Sequence, residues 1–187
     1  SVAAFEAEEN VFAEGPYKIA VEHGDPETEG PDKPYFSGST DIDVAARRVN
    51  TAQVTAHVAK SQTFVRITEA FAKFYHDAEF TVTTGSGNEF TFRPDGTGDP
   101  ERIWVKTGTT LTVSGTARSQ SQDGEKEGPL YTFPAETLDV TVAATCHIFT
   151  FDASNAGSAS LNIVLGEGEG ETRVIPVELN EEAIPSK

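Results

Sequence analysis

The sequence predicts an all-β protein, a jelly-roll-like antiparallel β-sandwich. Most of the chain alternates between apolar and polar residues with a period of two, or is rich in β-branched and aromatic residues. Clusters of Gly, Pro, Asp and Asn separate these segments at the spacing typical of a strand meander. At 187 residues the chain is long enough for one substantial core. We therefore expect a separate N-terminal strand at 1–12 and a single sandwich domain at 13–187.

The predicted strands follow one another along nearly the whole chain. In order, they are 17–22, 52–59, 63–67, 78–84, 89–93, 102–106, 109–117, 136–145, 147–151, 159–165 and 172–179. One segment, 68–78, also fits a short helix, because Phe71, Phe74 and Tyr75 are spaced for one helical face and Thr68 is suited to cap it. The alternative for this segment is an extension of the strand that contains Val65.

The charge of the chain excludes two classes of partner. There are 14 Lys and Arg against 30 Asp and Glu, a net charge of −16, which repels nucleic acid and anionic membranes. No apolar run reaches the roughly 20 residues of a membrane helix. The chain begins at Ser1 and contains no Met, so we expect a secreted, extracellular protein whose signal peptide was removed before Ser1.

Catalytic motifs are missing from the sequence. There is no HExxH pair, GxSxG turn, Walker loop or GxGxxG fingerprint, and the four histidines are dispersed. Cys146 and His147 are adjacent, but neighbouring residues on a strand point to opposite faces. We therefore predict no catalytic residues and no enzyme activity, and we expect Cys146 to be a buried structural thiol.

Acidic loops provide the one candidate for a cofactor, Ca²⁺. The loop at 95–101 offers Asp95, Asp99 and Glu101 as oxygen ligands, and the loop at 25–32 is similarly acidic. Neither loop has the spacing of an EF-hand. In so acidic a chain, solvated surface carboxylates are the alternative, so we expect no metal site or other cofactor apart from this Ca²⁺ candidate.

The first residues alternate as a half-buried strand should. Apolar side chains lie at Ala3, Phe5, Ala7 and Val11, with mostly acidic residues between them. A terminal strand frays unless it pairs with something. It either pairs within its own chain or completes the sheet of another subunit, in which case the interface residues are Val2, Ala3, Ala4, Phe5, Ala7 and Val11.

The same region resembles a known family. An A-x-F motif at 3–5, an acidic spacer at 6–9, N-x-F-x-x-G at 10–15 and a strand at 17–22 resemble the mature N-terminus of the TasA and camelysin family. The similarity is greatest to the archaeal subunits of bundling pili, although Gly-Pro-Tyr-Lys-Ile stands at 15–19 where the family reads A-G-T-L-D-L. The resemblance implies a jelly-roll subunit of biofilm-matrix fibres that donates its N-terminal strand to its neighbour.

Three functional classes follow from these observations. The first is a homopolymer built by donor-strand complementation, with head-to-tail contacts and cation-dependent lateral bundling, and with no nucleic-acid or membrane partner in the mature form. The second is a monomeric carbohydrate-binding or adhesive sandwich that uses Trp104, Tyr131 and Tyr35. The third, raised by the resemblance to camelysin, is a metalloprotease, although no zinc-ligand spacing supports it.

Overall fold

The computed structural model describes residues 12–98, 101–120, 128–155, 158–165 and 173–175. They contain twelve strands and one short helix. The strands are β1 (Gly15–His23), β2 (Phe36–Val44), β3 (His57–Val58), β4 (Ser61–Ile67), β5 (Tyr75–Thr84), β6 (Glu89–Phe92), β7 (Ile103–Val105), β8 (Leu111–Ser119), β9 (Leu130–Leu138), β10 (Cys146–Asn155), β11 (Ser158–Leu165) and β12 (Arg173–Ile175), and the helix is α1 (Glu69–Phe74). The chain divides into two compact units, one of residues 12–23 with 36–57 and one of 24–35 with the residues from 58 onwards.

The first unit is a three-stranded sheet with the order β1-β2-β3. β1 and β2 pair antiparallel along their whole length, from Gly15 opposite Val44 to His23 opposite Phe36. Sequence patterning missed β2, whose Ser, Gly and Asp residues are weak strand formers. A Cβ on Gly38 would lie 2.1 Å from the carbonyl oxygen of Thr55, so the close approach of another backbone requires a glycine here.

The second unit is a sandwich of two sheets. A five-stranded sheet has the order β12-β11-β10-β4-β7, and a four-stranded sheet has the order β6-β5-β8-β9. Within this unit every neighbouring pair is antiparallel except β4 with β10, which is parallel. These sheets confirm the predicted all-β sandwich.

Stacked aromatic rings form the core between the two sheets. Phe80 of β5 and Phe151 of β10 stack with their centroids 3.9 Å apart. Phe133 of β9 lies edge-on to Phe151 at 5.5 Å, and Phe71 of α1 lies 5.8 Å from Phe133. All four side chains are at most 2% exposed, and burying each contributes about 1.5–3 kcal/mol. The inward-facing rings therefore hold one sheet against the other.

Residues 68–78 form the predicted short helix over Glu69–Phe74 and then begin a new strand. The alternative, an extension of the strand that contains Val65, is wrong because β4 ends at Ile67. The hydroxyl oxygen of Thr68 accepts a hydrogen bond from the N–H of Phe71 at 3.1 Å and caps α1, as predicted. The helix ends at Phe74, and β5 begins at Tyr75 in an extended conformation. Phe71 is fully buried, so the short helix inserts its ring into the core.

The prediction of a strand at 136–145 is wrong beyond its first three residues. β9 ends at Leu138, and Ala144 has φ of +55°, which interrupts an extended chain. Thr141 is buried in this loop, where its hydroxyl donates to the Lys106 carbonyl at 2.7 Å. This apolar segment is therefore a loop, and side-chain hydrogen bonds hold it in place.

Residues 1–11 lie outside the described part of the chain. The predicted donor strand is therefore neither confirmed nor contradicted, and the division into 1–12 and 13–187 stays a prediction. Phe12, the first described residue, is 49% exposed, and its ring meets Tyr17 edge-on at 5.6 Å. Among the described residues, no helix has the length and apolar character that crossing a bilayer requires.

Candidate functional site

The outer edge of β9 is the longest unpaired strand edge in the described sandwich. β9 is nine residues long and pairs with β8 on one side, and the four-stranded sheet ends there. The other edge strands of the sandwich are shorter, four residues in β6 and three each in β7 and β12. In the three-stranded sheet, the edge strand β1 also has nine residues. Such an edge presents unpaired backbone groups to any extended chain that reaches it.

The backbone pattern shows which groups of β9 face outward. The N–H of Ser119 donates to the carbonyl of Pro129 at 3.1 Å, so the backbone groups of Pro129, Tyr131 and Phe133 face β8. The N–H and C=O groups of Leu130 and Thr132 therefore face away from the sheet. A bulge follows between Phe133 and Glu136, and it contains Pro134, which has no N–H and is tolerated on an edge strand.

The hydrophobic core extends to this edge. Phe133 is buried, and Tyr131 is half-buried with its ring edge-on to Tyr75 at 5.6 Å. On the opposite face of β9, Leu130 is 55% exposed. A strand added beside β9 would cover the exposed side of Tyr131 and gain apolar contact as well as backbone hydrogen bonds.

A second surface, which we call the Trp104 groove, lies on the five-stranded sheet. Its volume is about 280 Å³. It is lined by Val58 at the end of β3 and by residues of β4, β7, β10 and their flanking loops, namely Lys60, Gln62, Phe64, Arg66, Arg102, Trp104, Ala144, Thr145, Cys146 and Ile148. The core-facing residues of the same strands, such as Val65 and Phe149, alternate with these.

The residues that line this groove form rows across the strands, and the strand register determines which residues share a row. Trp104, Gln62 and Cys146 are partners across β7, β4 and β10, and Phe64 is the partner of Ile148 in the next row. The guanidinium carbon of Arg102 lies 5.4 Å from the centre of the Phe64 ring, a cation–π contact.

Arg66 completes the groove in a third row. It is the partner of Thr150, and its Nε donates to the Thr150 hydroxyl at 2.9 Å. Among the described residues that line the groove, three are basic, namely Lys60, Arg66 and Arg102, and none is acidic. The groove is therefore lined by positive charge in a chain whose net charge is −16.

Lys60 fixes the loop at 24–35 from within. Its side chain is 1% exposed, and Nζ donates to the carbonyl oxygens of Asp25 at 2.6 Å, Lys33 at 3.1 Å and Thr28. Burial lowers the pKa of Lys60. The ammonium group thus occupies the ring of carbonyls that a cation would otherwise use in this acidic loop.

Glu29 holds the same loop from the other side. Its carboxylate accepts hydrogen bonds from the Thr84 hydroxyl at 2.6 Å, the Asn88 amide at 2.7 Å and the Lys106 N–H at 3.0 Å. Burial alone would raise the pKa of Glu29, but these hydrogen bonds outweigh burial and lower it. Gly30 then pairs with Trp104, each N–H donating to the other's carbonyl at 2.9 Å.

Of the three predicted Ca²⁺ ligands, Asp95 and Glu101 are described and Asp99 is not, so the Ca²⁺ candidate stays a prediction. Asp95 accepts hydrogen bonds from the N–H and the hydroxyl of Thr97, both at 2.8 Å, which lower its pKa. Glu101 is exposed, and Asp99 lies outside the described residues. Where the structure describes the chain, no group of three or more His, Cys, Asp or Glu residues could hold a metal ion.

Cys146 and His147 point to opposite faces of β10. Cys146 is half-buried and lines the Trp104 groove, so the expectation of a fully buried thiol is wrong. Its position two residues before Ile148 places it on the groove face of the sheet. His147 is fully buried on the core side, and its Nε2 accepts from the N–H of Val142 at 3.0 Å.

The aromatic residues proposed for sugar binding do not share one face. Trp104 lies in the five-stranded sheet and Tyr131 in the four-stranded sheet, while Tyr35 is in the loop before β2. Sequence analysis also missed the partners of Trp104. The signal was present at β4, where Gln62 and Arg66, together with Lys60 just before the strand, alternate with inward-facing residues.

Comparison with known proteins identifies one family. The family model described as "Domain of unknown function (DUF4493)" matches residues 5–181. No curated protein and no solved structure matches the chain.

Proposed function

The chain belongs to the DUF4493 family, and we propose that it is a non-catalytic, structural subunit of an extracellular filament that polymerises by strand addition. The N-terminal strand of one subunit pairs with the outer edge of β9 in the next. The observation that carries the proposal is the nine-residue β9, which has no second partner strand among the described residues.

Strand addition at β9 is favourable for two physical reasons. The outward backbone groups of Leu130 and Thr132 gain hydrogen bonds, each contributing about 0.5–1.5 kcal/mol. The alternating apolar residues of the incoming strand, with Phe5 the largest, extend the core beside Tyr131, and a buried Phe contributes about 1.5–3 kcal/mol. Main-chain pairing with side-chain anchoring is the usual mode of β-strand addition.

The resemblance of residues 1–24 to the TasA and camelysin family supports the same function. It suggests secretion, a pilus-like or biofilm-matrix fibre and, most specifically, similarity to archaeal bundling subunits. Donor and acceptor are different surfaces, so the contact is heterologous and propagates instead of closing into a symmetric dimer. A linear polymer is the expected product.

The competing possibility is that residues 1–11 pair with β9 of their own chain, which gives a monomer. Cysteine cross-linking separates the two. In a Cys146→Ser background, we would make Glu6→Cys in one chain and Thr132→Cys in another, mix them and add a short bismaleimide. We expect cross-linked dimers of the two variants, because Thr132 is exposed on β9. The double variant should give a ladder of polymers.

A matched control uses Thr91→Cys, which is exposed on β6 at the opposite edge of the same sheet. Mixing it with Glu6→Cys should give no specific product. Deleting residues 1–9, or replacing Phe5 with Asp, should abolish filaments in electron micrographs and leave the β-rich circular dichroism intact. If the double variant cross-links only within monomers and the deletion unfolds the domain, then the strand belongs to its own sheet and strand exchange is excluded.

A further inference from the structure

We propose that the Trp104 groove binds an acidic polysaccharide, a chain of sugars that carry carboxylates. This site is separate from the β9 edge, since Trp104 and β9 belong to different sheets. The proposal therefore goes beyond polymerisation and does not depend on it. It assigns to the subunit a second surface, one that would attach it to an anionic matrix.

The groove combines the two kinds of contact that sugar recognition uses. Trp104 is half-buried, so part of its ring stays open to stack on the apolar face of a sugar. Gln62 is its direct cross-strand partner, which places an amide with both donor and acceptor atoms beside the ring. Pockets for small ligands typically join an apolar floor to a few placed polar groups of this kind.

The basic residues select an anionic sugar over a neutral one. Lys60, Arg66 and Arg102 line the groove, and no acidic residue is among the described residues of its lining. Lys60 is committed to the carbonyls of the loop at 24–35, so it contributes charge and no direct contact. Arg66 is the residue that can hold a carboxylate in two-point geometry.

Arg66 is oriented before any ligand arrives. Its Nε donates to the Thr150 hydroxyl, which uses one of the five N–H donors of the guanidinium. The remaining donors are on Nη1 and Nη2, the edge that meets a carboxylate end-on. Arg102 lies over the Phe64 ring, a contact that restricts its side chain. An arginine whose side chain is already restricted loses less conformational entropy on binding than a mobile one.

An acidic peptide fits this groove less well than a polysaccharide. A peptide that adds to a sheet needs free edge groups, but the N–H and C=O of Trp104 in edge strand β7 are already bonded to Gly30. The groove crosses the rows of three strands and does not follow a free edge. Ring stacking and carboxylate pairing are therefore the interactions that it offers.

The only tryptophan of the chain reports on this site directly. We would titrate the full-length protein with oligogalacturonate, with a neutral galactose oligomer and with poly-glutamate, following tryptophan fluorescence and binding heat. We expect a saturable response to oligogalacturonate alone. Arg66→Gln should weaken binding about tenfold or more, because it removes a charge-assisted contact. Arg102→Gln should also weaken binding, because it removes a positive charge from the groove.

Arg93→Gln is the matched control, because Arg93 pairs with Glu79 at 2.6 Å on the four-stranded sheet. It should change affinity less than about twofold. Arg102 is exposed and lies outside the strands, so its variant tests binding even if Arg66→Gln impairs folding. Equal binding of the neutral oligomer, stronger binding of poly-glutamate, or no saturable response by either method would each overturn the proposal.

Discussion

The backbone N–H of Val142 donates a hydrogen bond of 3.0 Å to Nε2 of His147, on the core-facing side of β10. Because Nε2 accepts, the neutral ring carries its proton on Nδ1. That atom is buried and has no hydrogen-bond partner among the described residues. Burial lowers the pKa of His147, so the fold contains an imidazole that resists protonation.

We predict that His147 makes the protein lose stability in mild acid. The pKa in the unfolded chain is near 6.5, and the folded value is lower. As pH falls below 6.5, the unfolded chain binds a proton that the folded chain does not, so the free energy of unfolding decreases until the folded pKa is passed. Urea denaturation of the wild type at pH values from 7 to 5 measures this loss.

His147→Gln is the informative variant for that prediction. A glutamine oxygen can replace Nε2 as acceptor for Val142 but does not titrate. Its stability should therefore depend less on pH than that of the wild type over the same interval. His57→Gln, at an exposed position, is the control and should keep the wild-type profile. Parallel profiles for wild type and His147→Gln would contradict the assignment.

Glu29→Gln should destabilise the sandwich by about 1–3 kcal/mol, since it places an amide donor against groups that already donate. The Glu29 pKa is lowered from 4.5 in the folded state, so the stabilisation is present above pH 4.5 and is lost as pH falls through the folded value. The gap between wild type and variant should close in strong acid. Glu27→Gln, which breaks only an exposed pair with Lys106, should cost less than about 1 kcal/mol.

Lys60→Met should release the loop at 24–35. The substitution keeps the apolar stem but leaves the carbonyls of Asp25, Thr28 and Lys33 without their donor. We expect a loss of about 2–3 kcal/mol in urea denaturation and faster proteolytic cleavage within the loop. Lys33→Met is the control because that side chain is exposed. Unchanged cleavage in Lys60→Met would show that the ammonium does not hold the loop.

Gly115→Ala should destabilise the four-stranded sheet by about 1–3 kcal/mol through overpacking. A Cβ at this position would lie 2.3 Å from the Phe80 ring and 2.5 Å from the Glu79 carbonyl oxygen. Phe80 stacks on Phe151 and has little freedom to move. Ser114→Ala, the neighbouring change in β8, is the control. Thermal unfolding of both variants measures the difference, and equal midpoints would refute the crowding argument.

Filaments of the protein should bundle only when cations screen or bridge them. The net charge of −16 on each subunit makes neighbouring fibres repel one another at low ionic strength. Electron micrographs across NaCl and Ca²⁺ concentrations should show single fibres without salt and bundles with it. Bundles that persist in low salt with a chelator would contradict the prediction.

Local patterning determined the fold class and many of the strands. Alternation at 78–84 and 109–117 indicates which residues face a core; β5 contains the first segment, and β8 contains the second from Leu111 onwards. The cap of α1 was equally predictable, because Thr68 and the N–H of Phe71 are only three residues apart. Interactions between residues this close in sequence depend on the local sequence alone, so they can be predicted without the rest of the chain.

Tertiary structure alone decided the identity of β2, the end of β9 and both candidate surfaces. β2 is a strand because β1 pairs with it along its length, although its own residues favour turns. Lys60 meets a carbonyl 35 positions away, and Arg66 meets Thr150 across 84 positions. A period of two tells which face of a strand a residue occupies, but it does not tell which strand lies beside it. That choice depends on the packing energy of the whole sandwich.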